Sequence, residues 1–155
     1  MNRIEIVREV IDKLLLNIAD DGERRCAYVH LYGVAQACAL IAKKRKGNVE
    51  LAVIAGMLHD VYSYVNMDSK DHAYKGAETA KDILTSLDIF TEEEKELICT
   101  AIYNHSDKAI VHSSLDEVLK DADVMQHVLY NPLVEVKEHE KDRFDLLKKE
   151  FNLGK

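Results

Sequence analysis

Proline and glycine are scarce in this chain: one proline, Pro132, and six glycines in 155 residues. No Pro- or Ser-rich stretch is present that would serve as a linker, and a chain of this length ordinarily forms one domain around one core. Cysteine is also sparse, with only Cys26, Cys38 and Cys99 and no CxxC pair. Three thiols cannot all pair within one chain, which argues against a disulfide framework and predicts reduced, buried thiols in a cytoplasmic protein. No apolar run approaches the ~20 residues that cross a bilayer. The first nine residues carry mixed charge where a secretory signal would carry an apolar core. Positive charge is in deficit, with 21 Lys and Arg against 28 Asp and Glu and a net charge of −7. Such a surface does not suit a nucleic-acid polymer, whose binding needs clustered Lys and Arg. A small phosphate ester is still compatible, because a bound cation reverses the local field.

What the sequence has in quantity is helical periodicity. Apolar residues are 47% of the chain and recur at spacings of three and four almost from end to end, whereas no stretch alternates as a strand would. Ile4, Val7, Val10, Ile11, Leu14 and Leu15 mark a first helix. A second is predicted over 24–46, with Gly47 as its stop, and a third over 49–61. A fourth runs from His72 to about Leu87. Thr91 with Glu94 three residues on is a capping-box pattern that opens a fifth helix, ending near His105. Ser114 with Glu117 repeats the pattern for a sixth, ending near Tyr130. Asn131-Pro132 reads as an N-cap and first helical residue of a charged, solvent-facing last helix over 132–151. The prediction is a single all-α domain over 1–155, a compact bundle of about seven helices.

Several of these helices carry histidine on a face that otherwise reads as core. His30 shares a stripe with Val34, Ala37 and Ile41. His105 follows Ile98, Ala101 and Ile102, and His72 lies in line with Gly76 and Ile83. His59 and Asp60 end the apolar run Leu51, Ile54, Ala55, Leu58. One such imidazole is usually a core residue with a satisfied ring, but four of them with buried carboxylates on separate helices make a different case. Neutral imidazoles and carboxylates are what a divalent transition metal takes, and helix bundles assemble such sites from facing helices. An ionised Asp60 in a core also needs a cation or hydrogen-bond donors. His112, His127 and His139 show no such context and are assigned no role. In Lys120-Asp121-Ala122-Asp123 the two acids lie about equally far from the centre of the apolar face, so periodicity does not choose between them.

These residues resemble the HD superfamily of metal-dependent phosphohydrolases over about 24–130. The pattern is an early His (His30 in AYVHLYGVA), an adjacent pair (His59-Asp60 in AGMLHDVY) and a late Asp in an Ala-Asp step (Asp123 in LKDADVM). The resemblance implies that His30, His59, Asp60 and Asp123 hold one metal. It further implies that His72 and His105 hold a second, which Asp60 would bridge; the metal would be Fe, Mn, Zn, Co or Ni. It implies hydrolysis of a phosphoester or phosphoanhydride, of a nucleotide by preference, by attack of a metal-bound water, with Asp60 also in a catalytic role. Lys75 and Arg25, close in sequence to His72 and His30, are candidate phosphate contacts. The common HD-Ile-Gly-Lys continuation is replaced here by Val61-Tyr62-Ser63. Neither the acidic pair of alarmone hydrolases nor the HD-GYP signature is present. Two alternatives accompany this reading: a di-iron HD-type oxygenase and a non-catalytic metal-binding module.

Overall fold

A computed structural model describes residues 1–154. Among them are eight α-helices and no strand: α1 (Arg3–Leu15), α2 (Asp21–Lys44), α3 (Val49–Leu58), α4 (Val61–Asn66), α5 (His72–Leu87), α6 (Glu92–Asn104), α7 (Ser114–Tyr130) and α8 (Lys141–Phe151), with a 3-10 turn at Glu138–Glu140 before α8. At the centre is α3, buried from Leu51 to Leu58 and packed against α1, α2, α6 and α7. Its sequence VELAVIAGML has no polar face after its first turn, as expected of a helix surrounded by others. Side-chain oxygens of Asn2, Asp20, Asn48 and Thr91 accept the backbone N–H three residues on, which starts α1, α2, α3 and α6 where these residues occur.

Two glycines set the spacing around α3. A Cβ on Gly56 would lie 2.9 Å from the Ala35 Cα, so α2 and α3 touch backbone to backbone at this point. A Cβ on Gly76 would lie 2.8 Å from the carbonyl oxygen of His59. Gly76 therefore seats α5 directly against the His59-Asp60 step. Gly76→Ala is expected to lower stability by about 1–3 kcal/mol, because the clash outweighs the gain in helix propensity. Thermal unfolding checks the first effect. Isothermal metal titration checks the second, a weaker affinity as His59 and His72 are pushed apart.

The structure differs from the predicted boundaries at five places. The third predicted helix, 49–61, stops at Leu58: Asp60 (φ −118°, ψ 12°) leaves the helical region, and a separate helix, α4, follows where none was predicted. That break raises the helix number to eight. The second begins at Asp21 because Asp20 caps it. It ends in a Schellman turn in which Lys46, rather than Gly47, takes the left-handed conformation (φ 57°) while Gly47 N–H donates to the Ala42 carbonyl. The Ser114–Glu117 capping box does not form. Ser113 precedes the helix, its hydroxyl donating to Asp116, and Glu117 instead accepts from His112 N–H, Lys120 and Arg143. Asn131-Pro132 does not open the last helix. The Asn131 carboxamide accepts Leu133 N–H in an Asx turn, and α8 starts only at Lys141. Leu133 is 95% exposed, so a helix there would have no core to bury its apolar face against. Finally, α8 is docked rather than free: Leu147 is buried, and Arg143 bridges Glu117 and Asp121 of α7.

Candidate metal centre

Each histidine of the cluster is placed by a different helix position. His30 lies in the middle of α2, His59 at the C-terminal end of α3, His72 at the first residue of α5, His105 just past α6, and Asp123 in the middle of α7. The break at Asp60 turns its carboxylate in among them. One oxygen, Asp60 Oδ2, is 3.5 Å from Nε2 of both His30 and His59. The other, Oδ1, is 3.5 Å from His105 Nε2 and 3.9 Å from His72 Nε2. Asp123 Oδ1 is 3.5 Å from His30 Nε2 and 3.8 Å from His59 Nε2. His30, His59 and Asp60 form one trio of metal-ligating atoms, and Asp60, His72 and His105 another.

The outer ring nitrogens explain why the inner ones converge. The Nδ1 of His59, His72 and His105 faces the backbone carbonyl of Gly56 (2.8 Å), Ser69 (3.1 Å) and Ile102 (2.6 Å) respectively. A carbonyl only accepts, so in each ring Nδ1 carries the hydrogen and Nε2 offers its lone pair inward. His30 Nδ1 faces the side-chain oxygen of Gln126 at 2.8 Å. Meanwhile Asp60 Oδ1 and Asp123 Oδ1 are buried and receive no hydrogen bond. Two orphaned carboxylate oxygens ringed by lone pairs are a costly arrangement without a cation and a fitting one with it. Burial pushes His59 down to about 4, so its ring is neutral and ready to ligate. Burial also acts to lower His30, but Asp60 and Asp123 outweigh it and raise that ring. Both carboxylates, against the effect of their own burial, are held well below the ordinary range. For Asp123 the Lys108 ammonium leads; for Asp60 it is the neighbouring imidazoles in their protonated form, His59 first, whose place a bound cation would take.

The tertiary structure separates the two late acids. Asp121 points away from the cluster and is held by Arg45 and Arg143 at 2.7 and 2.9 Å. Asp123 points in. Three groups not expected from the sequence join the cluster, two of them, Lys108 and His127, beside Asp123. Lys108 Nζ donates to Asp123 Oδ2 at 2.6 Å and to the His105 carbonyl at 2.8 Å. His127 Nε2 is 3.4 Å from Asp123 Oδ1, and the His127 ring stacks on His30 at 5.2 Å. The Ser106 hydroxyl donates to His72 Nε2 at 2.9 Å. The position of His127, one helical turn after Asp123, was a usable signal; that of Lys108, in a loop, was not. Lys75 is engaged by Asp68 at 2.9 Å, and Arg25 is exposed. Neither lines the cleft of about 340 Å³ that opens over His30 and Asp60, whose walls include Tyr64, Gln126, Tyr130 and Lys137.

The HD domain family matches residues 27–127, about two thirds of the chain and the whole span from before His30 to His127. The chain belongs to the HD domain family. The crystal structure of a predicted HD superfamily hydrolase from an uncultured Thermotogales bacterium is similar to this HD domain, with a TM-score of 0.64 and 20% sequence identity. The match covers 96% of this chain and 88% of that one, and at such identity it speaks for the fold. No curated protein matches the chain at a significant level. Among the described residues no helix is long and apolar enough to cross a membrane.

Proposed function

We propose that this HD protein is a metal-dependent phosphohydrolase acting on a small phosphorylated substrate, a nucleotide by preference, and cleaving a phosphoester or phosphoanhydride. The observation that carries this reading is the pair of orphaned, buried oxygens, Asp60 Oδ1 and Asp123 Oδ1, ringed by imidazole lone pairs beneath an open cleft. His30, His59, Asp60 and Asp123 would hold one ion, and Asp60, His72 and His105 a second. When bound, a divalent ion supplies Lewis acidity: it lowers the pKa of a coordinated water and neutralises charge on phosphoryl oxygens. Asp60, with one oxygen toward each histidine pair, fixes the two halves of the site and orients the attacking water. Gln126 keeps His30 in its inward tautomer, as the backbone carbonyls do for His59, His72 and His105. Tyr64 and Tyr130 give the cleft aromatic walls suited to a base, and Lys137 gives its rim a cation suited to a phosphate. The cytoplasmic location rests on the odd number of cysteines; of the three free thiols only Cys38 is buried as expected, while Cys99 is half-buried and Cys26 exposed.

The test begins with protein purified without chelator and analysed for metals, in the wild type and in His59→Ala and Asp123→Ala. The expected result is one or two transition-metal equivalents, lost in both variants, with release of phosphate from a panel of nucleotides and simple phosphoesters. Wild-type protein that takes up no metal from any of the five candidates overturns the reading. Iron with consumption of oxygen, and no phosphate release, replaces hydrolysis by oxygenase chemistry.

A further inference from the structure

His127 and Glu140 form a pair that the HD pattern does not include. Glu140 ends the 3-10 turn and is 2% exposed, a buried carboxylate at the N-terminal end of α8. It accepts His127 Nδ1–H at 2.8 Å, while His139, itself largely exposed, is 3.7 Å away. The carboxylate thereby fixes the imidazole: Nδ1 donates outward and the Nε2 lone pair faces Asp123 Oδ1 at 3.4 Å. That oxygen is one of the two that receive no hydrogen bond. A lone pair aimed at an orphaned carboxylate oxygen is repulsive until a cation lies between them. The His127 ring is also nearly parallel to His30, with 16° between planes, and His30, Asp123 and His127 present ligand atoms all within 4.8 Å of one another. No other imidazole of the cluster has a side-chain carboxylate behind it; the others use backbone carbonyls or an amide.

We propose that His127 is an additional protein ligand of the metal held at His30 and Asp123, with Glu140 as its positioning residue. The inference rests on the metal-centre reading above. It gives the first site a third imidazole and leaves the second at His72 and His105. A further neutral nitrogen donor favours borderline ions such as Zn, Co, Ni and Fe over Mn. It also ties the C-terminal segment to the site, because the residue that orients His127 lies at the start of α8.

The experiment uses the full chain stripped of metal and titrated with Co(II), read by visible absorption, chelator competition and pulsed EPR counting of coordinated imidazoles. His127→Ala is expected to weaken the first Co(II) equivalent by at least about tenfold and to remove one coordinated imidazole. The metal-free His127→Ala protein is expected to unfold at a lower midpoint, because buried Glu140 loses its hydrogen-bond donor, so the titrations are run where circular dichroism shows both proteins folded. Glu140→Leu should weaken Co(II) by about tenfold or more, whereas Glu140→Gln, which still accepts Nδ1–H, should restore most of the affinity. Wild-type and His127→Ala proteins that bind Co(II) with equal affinity and equal imidazole count overturn the inference while leaving the metal centre intact. Wild-type protein that binds no Co(II) overturns the metal reading and the inference with it.

Discussion

Exchange of Asp60 for alanine is expected to lower the proposed phosphoester hydrolysis by at least about a thousandfold, some 4 kcal/mol of transition-state stabilisation, while the protein remains folded. The geometry gives both halves of this expectation. Among the described residues, Asp60 alone has one oxygen toward His30 and His59 and the other toward His72 and His105. Without it neither trio is complete, and the water it would orient loses its acceptor. Folding is expected to survive because the side chain is 19% exposed at the floor of the cleft, outside the apolar core, and its Oδ1 contributes no hydrogen bond. Asp60→Asn keeps the shape and removes the charge, so it should retain the fold and bind metal more weakly. Metal analysis, steady-state rates and circular dichroism on the same preparations distinguish loss of the site from loss of the protein. Unfolded Asp60→Ala would show that the carboxylate holds the fold rather than the chemistry.

Lys120→Ala is expected to have the largest effect on stability, about 3–5 kcal/mol. Lys120 is fully buried on α7, with its Nζ donating to the Ile110 carbonyl at 2.8 Å and Glu117 at 3.1 Å and lying against His112. Truncation empties the volume of four methylenes inside the core and removes one of the two cations, Lys120 and Arg143, that meet Glu117 and the Ile110 carbonyl. At this chain length such a loss corresponds to a fall in melting temperature of roughly 10 °C or more. Lys120→Met fills the space without the charge and should cost less. Urea titration of the metal-free proteins measures both. The difference between them separates the cavity from the lost cation, and equal stability of all three would show that the ammonium is not structurally required.

Much of this protein was legible along the chain. Helical periodicity, the Thr91–Glu94 capping box, and His30, His59, Asp60, His72 and His105 all follow from local pattern or from an ordered motif. These are properties of one helix at a time, and one helix carries its own signal. The places where the sequence misled were those where a local preference competed with a partner elsewhere. Glu117 had the spacing of a capping residue, yet Arg143 from α8 and Lys120 claim its carboxylate. Asn131-Pro132 had the chemistry of a helix start, but no core lies opposite Leu133 to support one.

The sequence by itself determined an all-α chain of the HD family with a His and Asp set capable of holding metal, because periodicity and motif order are written in one dimension. Only the tertiary structure gave a physical ground for choosing Asp123 over Asp121, a choice that periodicity left open and that the family resemblance alone had assigned. The two are symmetric about the apolar face of their own helix, and what separates them is Arg45 and Arg143 on one side and the histidines on the other. Only it brought Lys108, His127 and Glu140 to the centre. Their roles depend on distances between segments far apart along the chain, and a lone pair finds its cation, or lacks one, in three dimensions.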